Sequence, residues 1–109
     1  MEKPAALLPG TLDMVVLKTL HGEPLHGYGV AQRILAASEG VLRVGEGSLY
    51  PALQRLVAAG FVAAEWGVSE NRRRARYYRL TTAGRKRLSA EMDEFGRTIG
   101  AIARVMQAP

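Results

Sequence analysis

Residues 47–80 hold a helical repeat followed at once by two stretches of strand-forming residues around a run of arginines, and that order leaves few choices of fold. Leu49, Ala52, Leu53, Leu56 and Val57 recur at three- and four-residue spacing, so they share one side of a helix and must pack inward. Ser48, Tyr50, Pro51, Gln54 and Arg55 are left facing outward. A hydroxyl, an aromatic ring, an amide and a guanidinium are groups able to bond base edges and phosphates in a major groove. Pro51 places the helix start near Ser48, because first-turn amides have no intrahelical partner for proline to remove. Gly60 ends the helix with a residue that tolerates a left-handed cap. The same outward set also suits an ordinary surface helix, since a recognition helix is a docking geometry without a residue code of its own.

The neighbouring segment shifts that balance. Residues 61–68 and 75–80 are rich in Phe, Val, Trp and Tyr and are separated by Ser-Glu-Asn-Arg-Arg-Arg, which predicts two strands and a polar loop. Arg72, Arg73, Arg74, Arg76 and Arg79 place five guanidinium groups within eight residues, with Glu70 beside them. Arginine runs are often solvated faces. Here their mutual repulsion points instead to an external anion.

With 109 residues there is room for one domain with a modest core and one projecting element. The formal net charge is +5, and the excess is local: residues 70–87 hold eight basic side chains against one acid. Such concentration suggests nucleic acid or an anionic membrane. The absence of cysteine excludes a disulfide framework, a thiol nucleophile and a cysteine-ligated metal. Met-Glu-Lys-Pro lacks the apolar run of a secretory leader, and no window approaches the length of a membrane span. A cytoplasmic location is the expectation, with no membrane partner.

Upstream, residues 1–10 contain Pro4, Pro9 and Gly10 and read as an N-terminal arm that orders on a partner. Thr11 is placed to cap a first helix carrying Leu12, Met14, Val15, Val16, Leu17 and Leu20, apolar on more than one face. That implies burial both against the core and against something else. After His21-Gly22-Glu23-Pro24 a second helix is predicted over residues 27–38, with Val30, Ala31, Ile34 and Leu35 inward. Gly27 and Gly29 in its first turn each cost about 1 kcal/mol relative to alanine. Close approach of this turn to another backbone would account for them, and Tyr28 beside them either reaches a phosphate or packs at the helix entrance. Val41-Leu42-Arg43-Val44 is expected to add a short third strand beside the hairpin. Helix, helix, short strand, helix, strand, basic loop, strand is the order of a winged helix.

Beyond Leu80, one of Thr81 and Thr82 can cap a long helix reaching about Met106. Leu88, Met92, Phe95, Ile99, Ile102 and Met106 are spaced four, three, four, three, four. This keeps one narrow seam over about five turns, the pattern of helices pairing along their length. Gly96 and Gly100 lie on one edge of it, permitting close contact or leaving a gap. A core helix with a strict repeat is the alternative.

With these residues in view, the chain resembles the PadR family of bacterial transcriptional regulators, in its short form with a single C-terminal helix. The matching stretches are Gly-Thr-Leu-Asp-Met-Val-Val-Leu-Lys-Thr-Leu from Gly10, Leu25-His26-Gly27-Tyr28-Gly29, Gly-Ser-Leu-Tyr-Pro-Ala-Leu-Gln-Arg-Leu from Gly47, Gly60-Phe61-Val62, and Arg76-Tyr77-Tyr78-Arg79-Leu80-Thr81 followed by Gly84. The resemblance implies a mainly α fold with a small β-hairpin: a winged helix-turn-helix domain over residues 11–80 and a long dimerisation helix over residues 81–109. It implies a homodimer, held by the last helix with help from the first, that represses by binding a palindromic operator in double-stranded DNA. Tyr50, Pro51, Gln54 and Arg55 would lie at the DNA and the loop arginines on its backbone. Some family members admit a flat aromatic effector at the dimer centre, stacked by a tryptophan of the last helix. Here the sole tryptophan, Trp66, is in the first wing strand, and the last helix offers Phe95. Val15, Met92, Phe95 and Ile99 would line such a pocket, and the same residues equally suit a dry packed seam.

The expected DNA surface is therefore Tyr28, Ser48, Tyr50, Pro51, Gln54, Arg55, Arg72, Arg73, Arg74 and Arg76. The expected dimer interface is Leu12, Val15, Val16, Leu88, Met92, Phe95, Ile99, Ile102 and Met106. The alternative from another class is a winged-helix module whose basic wing meets an acidic protein. Catalysis has little support: His21 and His26, with Glu23 between them, have no further ligand or nucleophile near in sequence. No cofactor and no metal are expected.

Overall fold

The computed structural model describes residues 10–109; the expected N-terminal arm lies outside the described residues except for Gly10. Helix α1 (Thr11–Thr19) starts after Gly10, whose φ of 85° makes it the N-cap in place of Thr11. A left-handed φ is inexpensive for glycine alone. The two-residue strand β1 (Leu25–His26) leads directly into α2 (Gly27–Ala37), and α3 spans Glu46–Ala58. Strands β2 (Val62–Val68) and β3 (Arg74–Leu80) form the hairpin, and α4 runs over Thr82–Gln107.

The sheet order is β1-β3-β2, all antiparallel, with Val62 opposite Leu80 and Val68 opposite Arg74. Its third strand corrects the sequence reading. Leu25 and His26 pair with Tyr78 and Tyr77, whereas the segment 41–44 is no strand of this sheet and holds a single bridge residue, Leu42. The backbone of that segment is committed elsewhere: Leu42 N–H donates to Ser38 Oγ and Val41 N–H to the Ser38 carbonyl, tying it to the end of α2. Leu42 and Val44 still pack on the core.

Helix α3 begins two residues earlier than its proline suggested, so Pro51 sits inside the helix and deprives the Gly47 carbonyl of its i+4 donor. At the other end Phe61 N–H donates to Leu56 O and Gly60 N–H to Val57 O, with Gly60 at φ 82°. Those paired bonds are the Schellman closure that a C-terminal glycine favours.

One core is built from all four helices and the sheet. Val16, Leu17 and Leu20 of α1 and its end meet Val30, Ile34, Leu49, Leu53, Leu56, Val62, Tyr78, Leu80 and Leu88. α1 packs on α2, α3 and α4 at once, as its apolar surface on several faces requires. Thr81 caps α4 by accepting from Gly84 N–H at 3.0 Å. The radius of gyration is 15.4 Å, against about 13 Å for a compact chain of this length. The far part of α4, a 26-residue helix, accounts for the excess by projecting past the domain.

Candidate nucleic-acid interface

On α3 the buried stripe is Leu49, Ala52, Leu53 and Leu56. Ser48, Tyr50, Pro51, Gln54 and Arg55 are all exposed, as expected, and Tyr50 and Arg55 also touch neighbouring helices. Tyr50 leans on the start of α2. A Cβ added at Gly27 would lie 2.7 Å from the Tyr50 ring and its hydroxyl, so Gly27 makes room for a side chain and not for another backbone, as the sequence had suggested. Arg55 turns to α1, where its Nη2 lies 2.9 Å from Asp13 Oδ1. No periodicity or spacing signals this partner, 42 positions away.

His26 is half-buried: its Nδ1 accepts from Gly29 N–H at 3.0 Å and caps α2. Its ring stacks with Tyr28 and meets Tyr77 edge-on. Tyr28 itself is 66% exposed and faces solvent at the mouth of the site.

The hairpin has two different faces. Pairing puts Val62, Ala64, Trp66 and Val68 on one side with Arg74, Arg76, Tyr78 and Leu80. Toward the domain this side is core; toward the tip it carries Trp66, Arg74 and Arg76. The Arg74 guanidinium lies 4.5 Å above the centre of the Trp66 ring, close enough for a cation–π contact. On the opposite face Arg79 bonds Glu65 at 3.2 Å, so this arginine is neutralised within the hairpin. Glu65 and Arg79 are diagonal neighbours in register, a relation visible only once Val62 is known to face Leu80. Tyr77 covers Gly67 on that face, where a Cβ would come within 2.9 Å of the ring. The tip is closed by Arg72 N–H to Ser69 O and Ser69 N–H to Arg73 O, with Arg72 at φ 58°.

Between the start of α2, the Tyr50 side of α3 and the inner face of the wing lies a concave space of about 880 Å³, bordered by Tyr28, Tyr50, Trp66, Arg73, Arg74 and Arg76. Arg33, Arg55, Arg79 and Arg87 each hold a carboxylate. Arg72, Arg73, Arg74 and Arg76 hold none among the described residues. The unpaired charge of the wing therefore faces this space and the tip.

A second surface runs along α4. Two residues expected on it are elsewhere: Val16 is fully buried and Leu88 nearly so, both inside the protomer's own core. Helix α1 is apolar on adjacent positions and α4 repeats without a break, so neither pattern marks which residues the domain itself consumes. Met92, Phe95, Ile99, Ile102 and Met106 remain exposed, from 37% at Phe95 to 75% at Met106. Leu12 and Val15 are half-buried at the edge of the core. Between α1, α2 and α4 is an apolar cleft of about 400 Å³ that includes Met14, Val15, Ile34, Leu42, Met92 and Phe95, with Lys18 at its rim. Three of the four residues expected to line a pocket meet there; Ile99 lies beyond it.

Among the described residues no helix is long and apolar enough to cross a membrane, and no group of three or more His, Asp or Glu is placed to hold a metal ion.

A transcriptional regulator of Mycobacterium tuberculosis is 37% identical over 78 residues, covering 69% of this chain and 69% of that protein. The solved structure of a transcriptional regulator from Clostridium thermocellum is similar at a TM-score of 0.80 and 27% identity, covering 87% of this chain and 92% of that one. Bacillus subtilis PadR in complex with operator DNA shares the fold at a TM-score of 0.67 and 21% identity, over 75% of this chain and 47% of that one. Residues 16–90 match the family model described as "Transcriptional regulator PadR-like family", and the chain belongs to that family.

Proposed function

We propose that this chain is a homodimeric repressor that reads a palindromic operator through α3 and grips the DNA backbone with its wing. Its family consists of transcriptional regulators, not enzymes. The observation that carries the DNA reading is the concave space bordered by Arg73, Arg74 and Arg76 of the wing, which hold no carboxylate among the described residues, together with Tyr50 of α3, a helix that also exposes Ser48, Pro51 and Gln54. Residues 11–80 are then the reading domain and residues 81–109 the dimerisation helix. Sequence choice falls chiefly to Gln54, with Tyr50 and Arg55 at its flanks, and affinity to the arginines. Two-fold pairing along Met92, Phe95, Ile99, Ile102 and Met106 covers an apolar stripe that a solitary protomer leaves in water. It spaces two reading helices for half-sites about 10 base pairs apart, or a multiple.

The cleft beside α1 supports a further element of this reading. Its apolar lining and size suit a flat aromatic effector, and an occupant favouring one angle between the two wings would shift the population away from the DNA-competent form. Selection of bound duplexes from a random pool at fixed salt, with sedimentation of the free protein, tests the whole. A two-fold consensus and a dimer are expected; a monomer that still selects a target, or binding without preference, refutes it.

A further inference from the structure

Trp66 is the sole tryptophan, and at 58% exposed it is a large aromatic left in the concave side of the wing. It contributes little to the core. One face of its ring is covered by the Arg74 guanidinium at 4.5 Å, and Arg76 is its cross-strand partner. From this we infer that Trp66 is a positioning residue, a shelf that holds Arg74 ready to meet a DNA phosphate from the inner side of the wing. The inference rests on the DNA reading above.

The argument is geometric. A guanidinium directs all five of its N–H donors in its own plane. Held over the indole ring at 4.5 Å, it keeps donors at its rim, where two can take one phosphate side by side. Without the shelf, a long flexible side chain loses rotamer freedom when it binds. With it, part of that ordering is already done in the free protein. Arg72 and Arg73 at the tip have no such support, so Arg74 is the pre-set contact of the wing and they are adaptable ones.

The shelf changes affinity without changing the number of phosphates neutralised, and this separates it from a charge effect. Against a mixed-sequence duplex over a salt series, Trp66→Ala is expected to weaken binding about threefold to fivefold, the scale of an exposed cation–π contact, at an unchanged slope. Arg74→Ala weakens binding and flattens the slope by about one. In the Arg74→Ala background Trp66→Ala adds nothing, and Trp66→Phe recovers much of the loss. In the free protein, Arg74→Ala exposes the second ring face and raises acrylamide quenching of tryptophan fluorescence. Independent, additive effects of the two alanines, or quenching indifferent to Arg74, overturn the shelf while leaving DNA binding in place. Wild-type protein whose duplex binding is absent or insensitive to salt overturns both.

Discussion

Replacing Gly84 by alanine isolates the joint on which α4 is mounted. In a free helix the change should stabilise by about 1 kcal/mol, because alanine restricts the unfolded chain and glycine does not. Here the added Cβ would stand 2.0 Å from the Phe61 carbonyl oxygen and 2.7 Å from Leu80 Cδ1. Separations under 3.0 Å are essentially never found for a Cβ, so the first turn of α4 and the turn after α3 must part by at least about 1 Å. That movement strains the bonds that seat the helix: Thr81 N–H to Phe61 O at 3.1 Å and Thr81 Oγ1 to Gly60 O at 2.7 Å. Overpacking costs about 1–3 kcal/mol, and each hydrogen bond lost about 1 kcal/mol more. Set against the helix gain, the net is a destabilisation of about 2–4 kcal/mol. Urea unfolding followed by circular dichroism, at one protein concentration because subunit association contributes to stability, should show a midpoint about 1–2 M lower. An unchanged or raised midpoint would refute the close approach of α4 to the turn after α3.

Gly96→Ala is the matched contrast: nothing lies within 4 Å of its missing Cβ, so about 1 kcal/mol of added stability is expected in the same assay. A loss of stability would mean that a partner helix needs that space. Ile99→Glu puts a carboxylate in the middle of the α4 seam at a position 41% exposed in the protomer; sedimentation should give half the wild-type mass with the circular dichroism of a folded domain, and a persisting dimer would contradict the seam. Arg73→Ala should lower affinity on every duplex and flatten the salt slope by about one, whereas Gln54→Ala should relax preference at particular bases. Equal losses on selected and random duplexes for both variants would refute that division of roles.

What could be read in the sequence was chiefly what repeats. The inward set of α3 and the apolar positions of α4 each recur at a fixed period, which survives without knowledge of the rest of the chain, and the hairpin showed itself by strand-forming residues on either side of a polar loop. The elements that escaped are those decided by a distant partner. Leu25 and His26 form a strand only because β3 offers an edge, and two residues cannot display alternation. Val15 and Val16 are adjacent and equally apolar, so only the packed helix tells that Val16 is core and Val15 faces the cleft. Gly27 advertised a close approach, but its cause, the Tyr50 ring, is 23 positions away. Likewise Arg55 is the outward cation that its spacing suggested, but its partner Asp13 lies 42 positions away.

The wing shows why a charge run cannot be judged by its count. Five arginines in eight residues would make a uniformly solvated basic surface if their side chains fanned out evenly. Strand alternation prevents that, since neighbouring residues of β3 point to opposite sides. Arg79 falls on the outer face and is neutralised by Glu65, while Tyr77 on Gly67 fills much of the remaining outer surface. Arg74 and Arg76 fall on the inner face, which holds no acid of its own, and the turn places Arg72 and Arg73 at the end. Within the hairpin loop only Glu70 offsets the repulsion among these four, and it forms an ion pair with none of them among the described residues. Their repulsion costs least when a polyanion lies along the inner side, where Tyr50 of α3 borders the same concave space as Arg73, Arg74 and Arg76. An evenly solvated arginine run would instead spread its charge over both faces of the hairpin.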